Sequence, residues 1–184
     1  MTGQLTAGSY AVPANAQFAV VAARWNDFIV DSLLEGTVDT LRRHGVSGDR
    51  IEVVRVPGAF ELTVVCKKLA ESGEFAAVIA LGCVIRGATA HFEYVSGSAT
   101  YGLTQVAAST GVPIVFGVLT TETTAQALER AGNDDGNKGR EAALTALEMA
   151  SLMATLSGGA ARARDKSAKP AKPAKKKPTR RKAR

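Results

Sequence analysis

One stretch of the chain gathers the residues that anion binding and proton transfer need: Gly82-Cys83-Val84-Ile85-Arg86-Gly87-Ala88-Thr89-Ala90-His91. It joins an apolar, β-branched run to a segment of helical period through glycines, small side chains and a hydroxyl. Free backbone N–H groups and the positive end of the following helix suit a phosphate, Gly87 and Ala88 let the backbone approach closely, and Thr89 adds a donor. The spacing of Gly82 and Gly87 mimics a nucleotide-binding P-loop, but Ala88 stands where that motif requires lysine, which argues against an NTPase. The competing reading is a tight turn whose glycines serve only the backbone. His91 closes the stretch, and histidine is the side chain best suited to move protons near neutral pH. A lone histidine is also commonly structural or simply exposed, so both roles stand open. His44 ends a helical segment, where the helix dipole explains it.

Other candidates are single residues. Trp25, the only tryptophan, follows a strand and is either a stacking platform for a flat heterocycle or a core anchor. Glu61 lies near a helix N-terminus, where capping competes with hydrogen bonding to a ligand. Arg130 and Lys138 are candidates for phosphate, although surface cations commonly lack a specific partner. Cys66 and Cys83 form neither a Cys-x-x-Cys pair nor a pattern with histidine, so neither a structural disulfide nor a metal site is expected.

These residues need a scaffold, and the hydrophobic pattern supplies one. Apolar β-branched runs alternate with helical-period segments in the order βαβαβαβαα, the pattern of a four-stranded parallel sheet between two helical layers, flavodoxin-like. Strands are expected at Phe18–Ala22, Ile51–Val56, Ala76–Leu81 and Ile114–Leu119. Helices are expected at Phe28–His44, Phe60–Glu71, about Glu93–Ser109, from a Thr123/Gln126 capping box to Ala131, and about Lys138–Leu156. In open α/β sheets ligands bind beyond the carboxyl ends of the strands, so the turns after the strands should converge on one rim. That rim carries Arg24 to Asn26, Pro57 to Glu61, Gly82 to His91 and the residues after Phe116.

The 184 residues, 46% of them apolar, allow one hydrophobic core but not two ordinary domains. The expected organisation is an extended arm over 1–16, a catalytic domain over 17–157 and a disordered Lys/Pro/Ala-rich tail over 158–184. No apolar run approaches the roughly 20 residues a membrane-spanning helix needs, and residues 1–16 lack a signal-like pattern, so a cytoplasmic protein without membrane contact is expected. The net charge of +6 suggests nucleic acid, but its distribution does not. From Gly159 onward stand 12 Lys/Arg and one Asp; of the chain's 23 and 17, that leaves 11 Lys/Arg against 16 Asp/Glu in the body. The body is acidic, and a nucleic-acid-binding module would depend on the tail alone. A flavodoxin-like binding protein without catalysis would keep the same rim but need no His91.

Three motifs in order then resemble the lumazine synthase family: Pro57-Gly58-Ala59-Phe60-Glu61, Gly87-Ala88-Thr89-Ala90-His91-Phe92-Glu93-Tyr94-Val95, and Glu129-Arg130-Ala131-Gly132 followed by Gly136-Asn137-Lys138-Gly139. The resemblance spans roughly Phe18 to Met153. It implies condensation of 5-amino-6-(D-ribitylamino)uracil with 3,4-dihydroxy-2-butanone 4-phosphate to 6,7-dimethyl-8-ribityllumazine, phosphate and water, with no cofactor or metal. By the same resemblance Trp25 stacks on the pyrimidine, Ala59, Phe60 and Glu61 with Cys83, Val84 and Ile85 hold the ring and ribityl chain, and Phe116 packs in from a neighbouring subunit. Gly87, Ala88, Thr89 and Arg130 hold the phosphate, His91 is the acid/base residue, and Glu129, Lys138 and Glu141 assist.

The family's sites lie between subunits, so a homo-oligomer built on pentamers is implied, with association to riboflavin synthase as a further partner. The turn Gly132–Gly136 has no insertion, which suits a larger shell, whereas Asp134 and Asp135 depart from the family's basic or small residues there. The tail falls outside the family pattern. Its Lys-Pro-Ala repeats suit non-specific polyanion binding, with a purely solubilising extension as the competing reading.

Overall fold

The computed structural model describes residues 5–132 and 136–167. Four parallel strands, β1 (Phe18–Ala23), β2 (Ile51–Val56), β3 (Ala77–Ile85) and β4 (Ile114–Thr121), form one sheet in the order β2-β1-β3-β4. The helices are α1 (Asp27–Arg43), α2 (Leu62–Ser72), α3 (His91–Thr110), α4 (Thr124–Ala131) and α5 (Lys138–Ser167). The three-layer αβα architecture expected from the pattern is the one observed.

Strand alternation explains the two layers. Phe18, Val20 and Ala22 of β1 face the same way as Ile79, Leu81 and Cys83 of β3, and meet Ile29, Leu33, Ala127, Ala143 and Leu147 of α1, α4 and α5. Ala19, Val21 and Ala23 face the other side with Val78 and Ala80, and meet Leu62, Cys66, Val95, Leu103 and Val106 of α2 and α3. A strand covered on both faces must be apolar throughout, which is why β1 reads as a continuous run. Where α1 crosses α5 there is no room for a methyl group: a Cβ on Gly139 would sit 2.0 Å from the Leu33 carbonyl oxygen, and one on Gly36 would sit 2.6 Å from Asn137 Oδ1.

The order β2-β1-β3-β4 reverses its direction of growth at β1, so the topological switch point lies between β1 and β3. The rim therefore has its crevice after Ala23 and after Ile85. β3 runs to Ile85, not to Leu81, because Cys83, Val84 and Ile85 pair with Leu119, Thr120 and Thr121 of β4, and β-branched residues favour that extension. The connecting turn shortens to Arg86–Ala90, and α3 begins at His91 instead of Glu93. Before α2, Ala59–Glu61 form a single 3-10 turn. At α4, Thr123 Oγ1 accepts from the Gln126 amide as expected, while the Gln126 side chain accepts from Glu122 N instead of Thr123 N.

The arm docks on its own chain. A Cβ on Gly8 would sit 2.3 Å from the Glu148 carbonyl oxygen, Ser9 Oγ lies 3.2 Å from Ser151 Oγ, and the Tyr10 ring meets His44 edge-on at 5.8 Å. α5 passes the expected end near Leu156 and enters the first basic residues, whose Ala and Arg favour helix. The rest of the tail, residues 168–184, lies outside the described residues, as do Asp134 and Asp135. Among the described residues no helix is long and apolar enough to cross a membrane.

Candidate active site

The switch point brings three turns together. Arg24 N and Trp25 N donate to the Pro57 carbonyl at 3.3 and 3.1 Å, which ties the turn after β1 to the turn after β2. Asn26 holds a left-handed backbone, φ 58°, and its side-chain amide donates to the Cys83 carbonyl at 2.9 Å, which ties the same turn to the end of β3. Such a backbone is uncommon outside glycine and persists because the contact fixes it.

Trp25 is 62% exposed, so it is not a core anchor. Its ring lies against the backbone of Gly58, where a Cβ would come within 2.7 Å of Trp25 Cε3 and 3.2 Å of Glu61 Oε2. Glycine there lets the indole lie flat on the turn. Glu61 makes no side-chain capping bond to α2, and its Oε2 is buried without a hydrogen-bond partner. A buried acceptor of that kind gains by meeting a ligand donor. Ala59 is buried, Phe60 is exposed, and Val84 and Ile85 are half-buried beside them. Cys83 is buried, and burial pushes its thiol up to about 11, so it is a packing group and not a nucleophile.

Gly87, Ala88, Thr89 and Ala90 are exposed and lead directly into His91, the first residue of α3. No side chain caps that helix end, whose amides face outward with the positive end of the dipole. Arg86 lies just before the turn, and nothing in the sequence signals its role. Its guanidinium pairs with Glu93, pairs with Glu122 at 2.6 Å and lies 4.2 Å over the Phe92 ring. Glu93 beside it holds the Arg86 guanidinium above its ordinary range, and Arg86 holds the Glu93 carboxyl below the usual carboxylate range.

The remaining candidates lie elsewhere on the chain. Phe116, Arg130, Lys138 and Glu141 line a groove of about 630 Å³ over β4, together with Thr145 and Met149 and with none of Trp25, Glu61, Thr89 or His91. Lys138 Nζ lies 2.7 and 2.8 Å from the two Glu141 carboxylate oxygens. Arg130 Nη1 donates to the Gln126 carbonyl at 3.0 Å and lies 3.5 Å from Glu129 Oε2.

Asn137 positions this set. It is 1% exposed; its amide donates to the Ala131 and Gly132 carbonyls at 2.9 Å and to Ser32 O at 3.2 Å, while its carbonyl accepts from Gly139 N and Arg140 N. Those last two bonds are an N-cap for α5, the one feature of Asn137 that sequence could have signalled.

A family model described as 6,7-dimethyl-8-ribityllumazine synthase matches residues 15–154. A 6,7-dimethyl-8-ribityllumazine synthase from Halorhodospira halophila is 54% identical over 153 residues, covering 83% of this chain and 98% of that protein. The family match spans all four strands and both halves of the rim. Residues beyond 154 lie outside the family match.

Proposed function

The chain belongs to the 6,7-dimethyl-8-ribityllumazine synthase family, and on that premise we propose how its rim performs the reaction. The enzyme condenses 5-amino-6-(D-ribitylamino)uracil with 3,4-dihydroxy-2-butanone 4-phosphate, giving 6,7-dimethyl-8-ribityllumazine, phosphate and water. This is the penultimate step of riboflavin biosynthesis, which makes riboflavin synthase the expected downstream partner.

The pyrimidine lies on the exposed face of Trp25, with Phe60 beside it and Glu61 Oε2 accepting from a ring or amine N–H. Ala59, Cys83, Val84 and Ile85 line its edge and the ribityl chain. The phosphate of the second substrate sits in the Gly87–Thr89 turn at the start of α3, held by backbone amides, the Thr89 hydroxyl and the charge of Arg130. His91, two residues after Thr89 and the first residue of α3, moves the protons. The 5-amino group attacks the ketone and an imine forms with loss of water. A proton leaves the carbon skeleton as the phosphate departs, the enol so formed becomes a ketone by proton transfer, and the ribityl-bearing nitrogen attacks that ketone and closes the second ring with loss of a second water. Holding two reactants in register supplies much of the acceleration, with acid/base help from His91 added to it.

The observation that carries this reading is the separation of the rim into two sets on one chain. Arg130, Lys138 and Glu141 share the β4 groove with Phe116, so a neighbour that brings Phe116 into a site brings all four. Each complete site then takes Trp25, Glu61 and the Gly87–His91 turn from one subunit and the β4 groove from the next. Glu129 and Glu141 hold Arg130 and Lys138 in place until substrate arrives. Head-to-tail contacts of this kind close into a ring, here a pentamer. Exposed Phe60 in the turn before α2, Val64 on α2, and Tyr94 and Tyr101 on α3 supply apolar surface for that contact. Two free thiols are consistent with a cytoplasmic, reducing location.

The assignment is tested by mixing the protein with both substrates and following phosphate release together with the fluorescent lumazine. Both products should rise above the uncatalysed background, and neither should do so when one substrate is left out. Absence of both from correctly assembled protein would reduce the chain to a binding relative. For the tail, a polyanion-binding role predicts salt-sensitive retention of RNA or DNA by the full chain and not by a chain ending at Gly158. Equal retention at low salt would leave solubilisation as its role.

A further inference from the structure

The Gly87–Ala90 turn carries no charged side chain, yet the group that binds there is an anion on the reading above. Two carboxylates stand close by, Glu93 in the first turn of α3 and Glu122 in the turn just after β4. One guanidinium meets both: Arg86 pairs with Glu93 and with Glu122 at 2.6 Å. The Arg86 amide also donates to the Thr121 carbonyl at 2.9 Å, and the side chain lies over Phe92. One residue thus fastens the turn at its start, grips the helix that follows it, and ties both to the neighbouring turn after β4. The pairs are partly exposed, the Arg86 side chain at 37%, and exposed pairs add little to folding stability. The arrangement is better explained by what it does for the turn.

We propose that Arg86 is a positioning residue for the phosphate-receiving turn, fixing Gly87–Ala90 at both ends and cancelling the Glu93 and Glu122 charges that would otherwise repel the phosphate substrate. This rests on the reading of Gly87–Thr89 as the phosphate site. Arg86 acts through the turn and not as a phosphate ligand: its Nη1 is turned to Glu93 and its Nε to Glu122. A lysine at this position would keep the charge but lose the planar fork that reaches two partners at once.

The test uses full-length, assembled enzyme with Arg86→Gln, Arg86→Lys, Arg86→Gln combined with Glu93→Gln and Glu122→Gln, and Thr89→Ala as a control. The readouts are KM for each substrate, the inhibition constant of inorganic phosphate, and Tm. Arg86→Gln should raise the KM for the butanone phosphate and the phosphate inhibition constant about tenfold, leaving the KM for the pyrimidine within about twofold. Arg86→Lys should fall between, and the triple variant should recover much of the phosphate affinity because the repelling carboxylates are gone. Unchanged phosphate constants in Arg86→Gln would overturn the proposal. So would an equal rise in both KM values with a matching fall in Tm, which is the mark of a merely structural residue. A triple variant no better than Arg86→Gln would overturn charge cancellation. If Thr89→Ala weakens phosphate while Arg86→Gln does not, the turn is still the phosphate site and only the role of Arg86 fails. If Thr89→Ala also leaves phosphate unaffected, the site reading falls and this proposal with it.

Discussion

The two halves of the rim are built on different principles. At the switch point the candidate groups are backbone amides, one hydroxyl, one unpaired carboxylate oxygen and an aromatic face, all held by contacts between turns: Asn26 to Cys83, Trp25 to Pro57 and Gly58. Over β4 the candidates are long charged side chains already paired with each other, Lys138 with Glu141 and Arg130 with Glu129, on helices locked by Asn137. The first half is preorganised and needs only a ligand. The second must exchange a protein partner for a substrate. Rigid geometry therefore sits where we propose that the ring and reacting carbons bind, and adjustable charge sits on the surface that would meet a neighbour.

The sharpest way to break this comparison is to disable one half at a time. Arg130→Ala should lower kcat/KM about 100-fold, chiefly through the phosphate substrate, because a charge-assisted contact is lost. His91→Ala should slow turnover roughly ten- to hundredfold without abolishing it, since positioning persists; a wild-type rate would remove His91 from its role. Subunits of the two variants refolded together should regain activity at about a quarter of the sites, where an intact half from each chain meets. No recovery would place both halves of a site on one chain and end the comparison.

Gly58→Ala is a smaller perturbation confined to the switch point. A Cβ 2.7 Å from the indole must push Trp25 off the turn, so the KM for the pyrimidine should rise about tenfold while that for the phosphate substrate holds. The smallest effect expected is on stability at alkaline pH. Burial raises the thiols of Cys66 and Cys83 to about 12 and about 11. Folding therefore binds their protons more tightly than the unfolded chain does. That contribution is complete below the ordinary cysteine range near 8.5 and is lost as pH rises through it toward the folded values. Tm should decline across that window, and Cys66→Ala should flatten the decline.

What sequence could reveal follows the same division. The strands and helices were legible because burial on both faces of a sheet dictates apolar runs, and the turn Gly87–His91 announced itself through small residues before a helix. The extension of β3 through Ile85 was not, because it depends on β4 lying alongside. The long-range contacts of Asn26, Arg86 and Asn137 were likewise hidden. Their partners are brought in by tertiary packing, such as Cys83 for Asn26 and Ser32 for Asn137, and an asparagine or arginine in a turn has no periodicity to reveal it. Arg130 and Lys138 looked like any surface cations, and only the motifs around them singled them out. Why they stand apart from His91 could be seen only once the β4 groove had been located.

The two cysteines have a use that their inertness makes possible. Cys66 lies in the layer between the sheet and α2, and Cys83 in the layer on the side of α1 and α5. Each can meet a thiol-directed reagent only when its own layer opens, so the two labelling rates are separate clocks for the two faces of the sheet. Binding of substrate at the switch point should slow the clock at Cys83 more than the one at Cys66.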